Sequence, residues 1–320
     1  LAGTAVRVDD TAAALTALGA HARRRLDGPV IGVTGSVGKT SLKDLLAAAL
    51  GPTWRTAANV GSFNNELGVP LTLVDAPDDA EVVVVEMGAR GRGHIAELCA
   101  TARPTVGVVT VVAGAHLEQF GSLDDVAVAK GELVEALSAD GFAVLNGDDA
   151  RVAAMAGRTA AQVVTFGEHH GEVRAEHVEL DGALHPRFRL RSPWGDADVV
   201  LGVAGRHQVT NALGAAAAAL AIGTPVDAVA AGLAAGRLSA FRMALGATAA
   251  GARLLDDSYN ANPASMLAGL DALAALVPAG TGRRVAVLGT MAELGAGADA
   301  AHRKVADAAA ERGIEVVAVA

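Results

Sequence analysis

Residues 31–43 read IGVTGSVGKTSLK, an apolar, β-branched run that breaks into a glycine loop and ends in Gly38, Lys39, Thr40 and Ser41. Strand, Gly-rich turn and helix start, in that order, aim backbone N–H groups and the positive end of a helix dipole at a polyphosphate. The expected cradle comprises Thr34, Gly35, Ser36, Val37, Gly38, Lys39, Thr40 and Ser41, with Lys39 reaching the outer phosphates and the Thr40 hydroxyl ligating Mg²⁺. The spacing narrows this further. The common phosphate loop places a glycine five residues before the glycine that precedes Lys, and here Val33 occupies that position. The pattern is instead T-G-x-x-G-K-T, a poorer match to a generic ATPase or GTPase.

Working outward, helices and strands alternate. A helix over roughly 39–50 is followed by a strand at EVVVVEM (81–87), a helix near 93–101, a strand at PTVGVVTVV (104–112), a helix across 122–138 and a strand at GFAVLNGDD (141–149). Near-continuous Val runs in such an order predict a parallel sheet covered on both faces, an α/β fold. From about 160 to 203 short alternating segments (VVTFG, VRAEHVEL, RFRLRSP, ADVVLGV) predict a small antiparallel sheet, and Ala-rich helices are expected near 207–221 and 226–235. A boundary falls around Phe241 to Gly246, after which ARLLDDSY, a helix, RRVAVLG, a helix and EVVAVA begin a second, Rossmann-like unit that looks incomplete. Residues 1–27 carry one amphipathic pattern with an Asp/Thr start signal, suited to a linker helix. The expected units are therefore 1–27, a central ATP-binding unit at 28–245, and a partial C-terminal unit at 246–320. No internal repeat is evident.

Composition bounds the function classes. The formal net charge of −9 over 320 residues, without a clustered basic face, argues against nucleic acid as a partner. No stretch of eighteen apolar residues runs uninterrupted, so no membrane insertion is expected. The single cysteine, Cys99, makes no internal disulfide and fits a reducing cytoplasm. The chain starts with Leu1 rather than Met and stops in VVAVA, so both ends are expected to be cut; no signal peptide is visible.

Several residues outside the loop carry chemistry. Glu86 ends a strand one step after the loop, and ligands in open parallel sheets gather at the carboxyl ends of strands; a carboxylate there either holds Mg²⁺ or caps and pairs locally. His116 follows another strand end, on a Gly-bearing loop, where its imidazole is a structural group or a ligand to a second metal. Lys130 lies on a largely apolar helix. Such a lysine commonly snorkels to solvent, but when buried its neutral amine reacts with CO₂ to form a carbamate, an anionic ligand suited to Mg²⁺. Asn64 and Asn65 are either turn formers or paired amides facing a substrate. DDSYNANPASM (256–266), with Asn262 and Pro263 opening a helix, holds more polar groups than capping requires, which points to a ribose or substrate contact.

Taken together, the chain resembles the Mur ligases over nearly its whole length. The resemblance rests on TGSVGKTS, FNNELGVPLTL, EMGARGRGHI, HLEQFGS followed by AKGEL, RHQVTNAL, LSAFRM, DDSYNANPASM and LGTMAELG, in that order. FNNELGVPLTL with DDSYNANP points to the members that add D-alanyl-D-alanine to UDP-MurNAc-tripeptide in peptidoglycan precursor synthesis. The resemblance implies a monomeric, cytoplasmic, ADP-forming ligase that activates the tripeptide carboxylate as an acyl phosphate with ATP and two Mg²⁺ ions. It further implies that Lys39, His116 and Lys130 are catalytic. Thr40 and Glu86 would hold one Mg²⁺, and His116 and carbamylated Lys130 the other. Asn211 and His207 would contact adenine, while Arg242 and Asp257 close the nucleotide site; Asn64, Asn65, Ser258, Tyr259, Asn260 and Asn262 would face the substrate. Ser36 and Val37 depart from the family's usual Asn before the second loop glycine, and Thr290 stands where an Asp is usual. A paralogous ligase with another amino-acid or peptide substrate, and a nucleotide-binding fragment without ligase turnover, remain open alternatives.

Overall fold

The computed structural model describes residues 5–114 and 117–319. Its centre is a six-stranded, all-parallel sheet built from β1 (Val30–Thr34), β2 (Thr56–Ala58), β3 (Val82–Glu86), β4 (Val106–Val109), β5 (Phe142–Asn146) and β6 (Gln162–Phe166), in the order β2-β3-β1-β4-β5-β6. The Val runs alternate through the sheet as a strand period of two demands. Ile31, Val33, Val82, Val84, Val106 and Val108 enter one core, whereas Val30, Val83, Val85 and Val109 enter another.

Each core is closed by helices. On the second face lie α1 (Thr11–Arg23), α3 (Gly68–Asp75), α4 (His94–Ala102) and α6 (Leu123–Glu135); α2 (Lys39–Leu50) covers the first. Two short helices, α5 (Leu117–Phe120) and α7 (Ala150–Ala153), complete this half of the chain. Helix α1, with Asp10 as its N-cap, packs on α3 and α4; a methyl at Gly19 would stand 2.7 Å from Pro70 Cα, so the two helices cross almost backbone to backbone. Covering the first face with α2 are α8 (Gln208–Ala221) and α9 (Val226–Ala235). The Ala-rich run of α8 is buried all round, as expected of a helix without a polar face.

A three-stranded antiparallel sheet, β7 (Arg174–Leu180), β8 (Pro186–Arg191) and β9 (Ala197–Val200), adds Phe188, Leu190 and Val199 to the first core. Here the sequence expectation needs correction. VVTFG does not belong to that sheet; Gln162–Phe166 is the edge strand of the parallel sheet, in full register with β5. An edge strand alternates in burial as an antiparallel strand does, and Val164 and Phe166 anchor it in the core. Strand β2 and helix α3 carry no signal the sequence reading used.

Beyond Arg242 the chain forms a hairpin of β10 (Ala244–Ala247) and β11 (Arg253–Asp256), then α10 (Pro263–Leu276), β12 (Val285–Leu288), α11 (Ala298–Glu311) and β13 (Glu315–Ala318). β12 and β13 pair in parallel, as a β-α-β unit should, whereas β11 pairs antiparallel with β10. A small cluster of Leu184, Ala204, Met243, Ala272 and Leu276 joins this part to the rest. Among the described residues no helix is long and apolar enough to cross a membrane.

Candidate functional site

The strand order reverses at β1, whose neighbours are β3 and β4, and ligands in open α/β sheets collect at the carboxyl ends of strands beside such a switch point. Thr34, Glu86 and Thr110 mark these three ends. The loop after β1 is tight. Gly35 has φ 141°, and a methyl there would lie 1.9 Å from Thr110 Oγ1; Gly38, at φ 85°, is the left-handed N-cap of α2 and faces the Asn211 amide. The Thr110 hydroxyl donates to Val37 O at 2.6 Å, and Thr34 Oγ1 donates to Met87 O at 2.8 Å, pinning both sides of the loop.

On one side of the loop lies a polar cavity of about 370 Å³. Glu86 is its anionic centre, 1 % exposed and fully engaged. Its Oε2 accepts from Thr40 Oγ1 at 2.7 Å, its Oε1 from Asn64 Nδ2 at 2.8 Å, and its own N–H donates to Asn59 Oδ1. Lys39 folds back over the loop and donates to the carbonyls of Gly35 (2.9 Å) and Ser36 (3.1 Å). Burial lowers the pKa of Lys39, with Glu86 opposing that fall and Arg242 adding to it. Lys130, 3 % exposed on α6, lines the same cavity with its ammonium 5.9 Å from the Phe120 ring centre. Burial first, and the charge of Lys39 second, pull Lys130 down to about 7.

On the other side is a cavity of about 410 Å³ between the loop, the ends of β4 to β6, α8 and α10. Its walls carry Phe166, Val111 and Ala113, the amides of Asn146, Gln208 and Asn211, the His207 ring and the carboxylates of Asp148 and Asp149. His207 Nε2 and Gln208 Nε2 are 2.9 Å apart, and Gln208 Oε1 accepts from Asn211 Nδ2 at 2.8 Å. Burial depresses His207 to about 4, leaving its ring neutral near pH 7.

The two cavities share Val37, Gly38, Arg242, Asp257 and Ser265. Arg242 Nη2 donates to Thr40 Oγ1 at 3.0 Å, its guanidinium stacks 4.2 Å from the Tyr259 ring centre, and its buried Nε has no partner among the described residues. The Tyr259 hydroxyl in turn contacts Ser62 Oγ. Asp257 Oδ1 accepts from Met243 N; burial raises Asp257 to about 6 against the pull of that bond and of Arg242.

Most residues named from the sequence converge here. The paired amides divide: Asn64 reaches Glu86, whereas Asn65 Oδ1 caps the start of α3 through Leu67 N and Gly68 N, the turn-forming alternative. Asn262 caps α10 in a capping box with Ser265, and the Asn260 side chain bonds the adjacent Ala261 N–H, although both still line the polar cavity. Ser258 lines neither cavity; its hydroxyl donates to Asp256. Thr34 is spent on Met87. His116 lies outside the described residues, and among the described residues no cluster of three His, Cys, Asp or Glu gathers. The sequence reading missed Asn59, Thr110, Asn146, Asp148 and Asp149. Thr110 at the end of a Val run, and Asn146, Asp148 and Asp149 at the end of GFAVLNGDD, carried the strand-end signal that marked Glu86; Asn59 carried none.

The sequence matches the family described as Mur ligase middle domain over residues 33–219, and that described as Mur ligase, glutamate ligase domain over 241–320. A UDP-N-acetylmuramoyl-tripeptide–D-alanyl-D-alanine ligase of Mycobacterium tuberculosis (strain H37Rv) is 50 % identical over 280 residues, covering 86 % of this chain and 55 % of the relative. The Escherichia coli (strain K12) protein of the same name is 38 % identical over 318 residues, covering 97 % and 68 %. Among solved structures, MurF from Acinetobacter baumannii superposes with a TM-score of 0.89 at 32 % identity, covering 98 % of this chain and 72 % of that one. A MurF ligase from Thermotoga maritima in complex with ADP gives 0.85 at 26 % identity, with coverage of 98 % and 75 %. The chain thus spans little more than half the length of the mycobacterial relative. With its middle-domain match laid over the phosphate loop, Glu86, Lys130 and Asn211, the chain belongs to the Mur ligase family.

Proposed function

We propose that this chain is the catalytic portion of an ATP-dependent carboxylate–amine ligase that joins D-alanyl-D-alanine to UDP-MurNAc-tripeptide. The reading is supported above all by one observation: a charged cavity holding Lys39, Thr40, Glu86 and Lys130 meets, at Arg242 and Asp257, a largely apolar cavity sized for a nucleoside. Relatives that bear this activity as their name, and a relative solved with ADP, support it further.

In this reading a carboxylate oxygen of the tripeptide attacks the γ-phosphorus of ATP, the bond to the β–γ bridging oxygen breaks, and ADP leaves. The amine of the dipeptide then attacks the acyl carbon; the C–O bond to phosphate breaks and the amine proton is lost. Lys39 turns from the Gly35 and Ser36 carbonyls toward the transferring phosphoryl group, where its charge and the N–H groups at the start of α2 stabilise the developing negative charge. Arg242 approaches the same phosphate from the junction, beside Thr40. Asp257 accepts from the ribose, and Asn211 with His207 receives adenine. Asn64 orients Glu86, and Asn65, Tyr259, Asn260 and Asn262 lie on the acyl and dipeptide side.

The oxygen donors of Thr40 and Glu86, 2.7 Å apart and open to the cavity, fit a hard divalent cation. They would hold one Mg²⁺. Lys130, buried and shifted toward its neutral amine, fits carbamate formation and with His116 would hold the second. Bound Mg²⁺ supplies charge neutralisation where two anions must meet. Residues 28–245 form the ATP-binding unit in this assignment, and the enzyme works as a cytoplasmic monomer.

The test is phosphate release from ATP by the full-length protein. Release that requires both UDP-MurNAc-tripeptide and D-alanyl-D-alanine is expected. No stimulation by the pair, or equal stimulation by an unrelated amino acid, would overturn the assignment.

A further inference from the structure

One buried ion pair beside the site takes no part in the chemistry above. Lys43 follows Lys39 by one helical turn on α2 and is 2 % exposed, and its ammonium is surrounded. It donates to Asn59 O at 2.7 Å and Gly61 O at 3.0 Å, and pairs with Asp44 Oδ1 at 2.8 Å. The other Asp44 oxygen, Oδ2, accepts from both the backbone N–H (2.7 Å) and the hydroxyl (2.8 Å) of Ser239. A lysine buried this deeply is held only because every proton finds an acceptor.

Both ends of this network lead to the polar cavity. Asn59 accepts from the N–H of Glu86 through its side chain, and the loop it begins carries Ser62, which meets Tyr259, and Asn64, which holds Glu86. Ser239 stands three residues before Arg242 on a segment with unusual backbone. Phe241 and Met243, flanking Arg242, have φ values of 63° and 48°, in the left-handed region that is strained for a bulky residue. Such conformations persist only where their surroundings fix them at both ends. The Ser239 clamp on Asp44 is one end; the Met243 N–H on Asp257 is the other.

We propose that Asp44 and Lys43 are positioning residues that, through Ser239 and the carbonyls of Asn59 and Gly61, set Arg242 and the Glu86-holding loop in one register across the polar cavity. The inference rests on the reading of that cavity as the place where the acyl group is activated. Neither residue lines the largely apolar cavity, where Arg242 is one lining group among many, so their loss should damage turnover more than nucleotide binding.

Asp44→Asn in the full-length protein keeps an acceptor for Ser239 but removes the counter-charge of Lys43. Ser239→Ala removes one bond and leaves the ion pair intact, a milder variant that guards against misfolding. For Asp44→Asn we expect kcat for ligation to fall about tenfold or more while ADP affinity changes less than about threefold. Hydrogen exchange supplies a readout independent of turnover: amides of 59–64 and 239–243 should loosen together in Asp44→Asn, with those of α8 unchanged. In Ser239→Ala the 239–243 segment should loosen first. Unchanged kcat with unchanged exchange overturns the inference, as does loosening of 239–243 alone, or a parallel loss of ADP affinity and α8 protection, which marks a merely structural role. A wild-type protein that releases no phosphate with the substrate pair refutes the ligase reading instead, and the exchange coupling then still decides the positioning role.

Discussion

The two cavities flanking the phosphate loop have nearly equal volumes, about 410 and 370 Å³, yet the first is largely apolar and the second is crowded with charge. One combines Phe166, aliphatic side chains and the His207–Gln208–Asn211 chain with the carboxylates of Asp148 and Asp149. The other packs Lys39, Lys130, Arg242 and Glu86 around a shared space. Recognition of a planar base needs shape and a few fixed hydrogen bonds, which the buried, neutral His207 ring and the Gln208 and Asn211 amides supply. Phosphoryl transfer between two anions needs charge that is already in place. The loop separates the two tasks, and Arg242 with Asp257 is where they meet.

The sharpest way to break this division is at Lys39. Lys39→Met should lower kcat for phosphate release by about 10³-fold or more while ADP binding weakens by less than about tenfold, because its charge acts on the transferring group rather than on the base. Fluorescence or calorimetric titration with ADP beside a phosphate-release assay reads both numbers. An equal fall in both would place Lys39 with ground-state binding and blur the contrast between the cavities.

Lys130 comes next. Lys130→Ala should cost about 10²-fold or more in kcat, and added formate or acetate should restore part of it if the wild-type side chain acts as a carbamate. Rescue absent at saturating carboxylate, with the protein folded, would leave Lys130 as a cation in the site. Tyr259 tests the junction at smaller amplitude. Tyr259→Phe keeps the stack on Arg242 and loses only the Ser62 contact, so a kcat change below about threefold is expected; Tyr259→Ala also loses the stack, which at an incompletely desolvated site is worth about 1 kcal/mol or a further fivefold.

Much of this was legible in the sequence. The T-G-x-x-G-K-T loop and the Val runs fix a parallel sheet because a strand covered on both faces has nowhere to put a polar residue, so Glu86 and Thr110 stand out where their runs end. Position relative to strand ends thus located the charged cavity. What stayed hidden was fixed by tertiary partners alone. Asn64 and Asn65 are the same residue type side by side, and only the approach of Glu86 to one and of the α3 start to the other separates them. Lys43 and Asp44 read as an ordinary charged helix face, since nothing local reveals that the 59–61 loop and Ser239 close over them. VVTFG was misplaced for a related reason: an edge strand buried mainly on one face alternates like an antiparallel one.

The smallest and most selective test uses two groups in the wall of the largely apolar cavity whose protonation pulls in opposite directions. Burial raises Asp257 to about 6, above its ordinary 3.8, so between those values the folded protein binds the extra proton; stability on this account falls as pH rises through the window and stays reduced above it. His207 is lowered from 6.5 to about 4, so between those values the unfolded chain binds the extra proton, and stability rises with pH. Each effect is worth at most about 3 kcal/mol, and from pH 4 to 6 the two largely cancel. Removing one should therefore uncover the other. Asp257→Asn should raise Tm at pH 7 and then lose that gain on acidification from about 6.5 toward 4. His207→Gln should instead become more stable relative to wild type as pH falls from 6 to 4. Denaturant melts at three pH values measure both slopes. Parallel curves for wild type and both variants would mean that the cavity wall is wet enough to leave these groups at their ordinary values, and burial in the largely apolar cavity would then not set their charge.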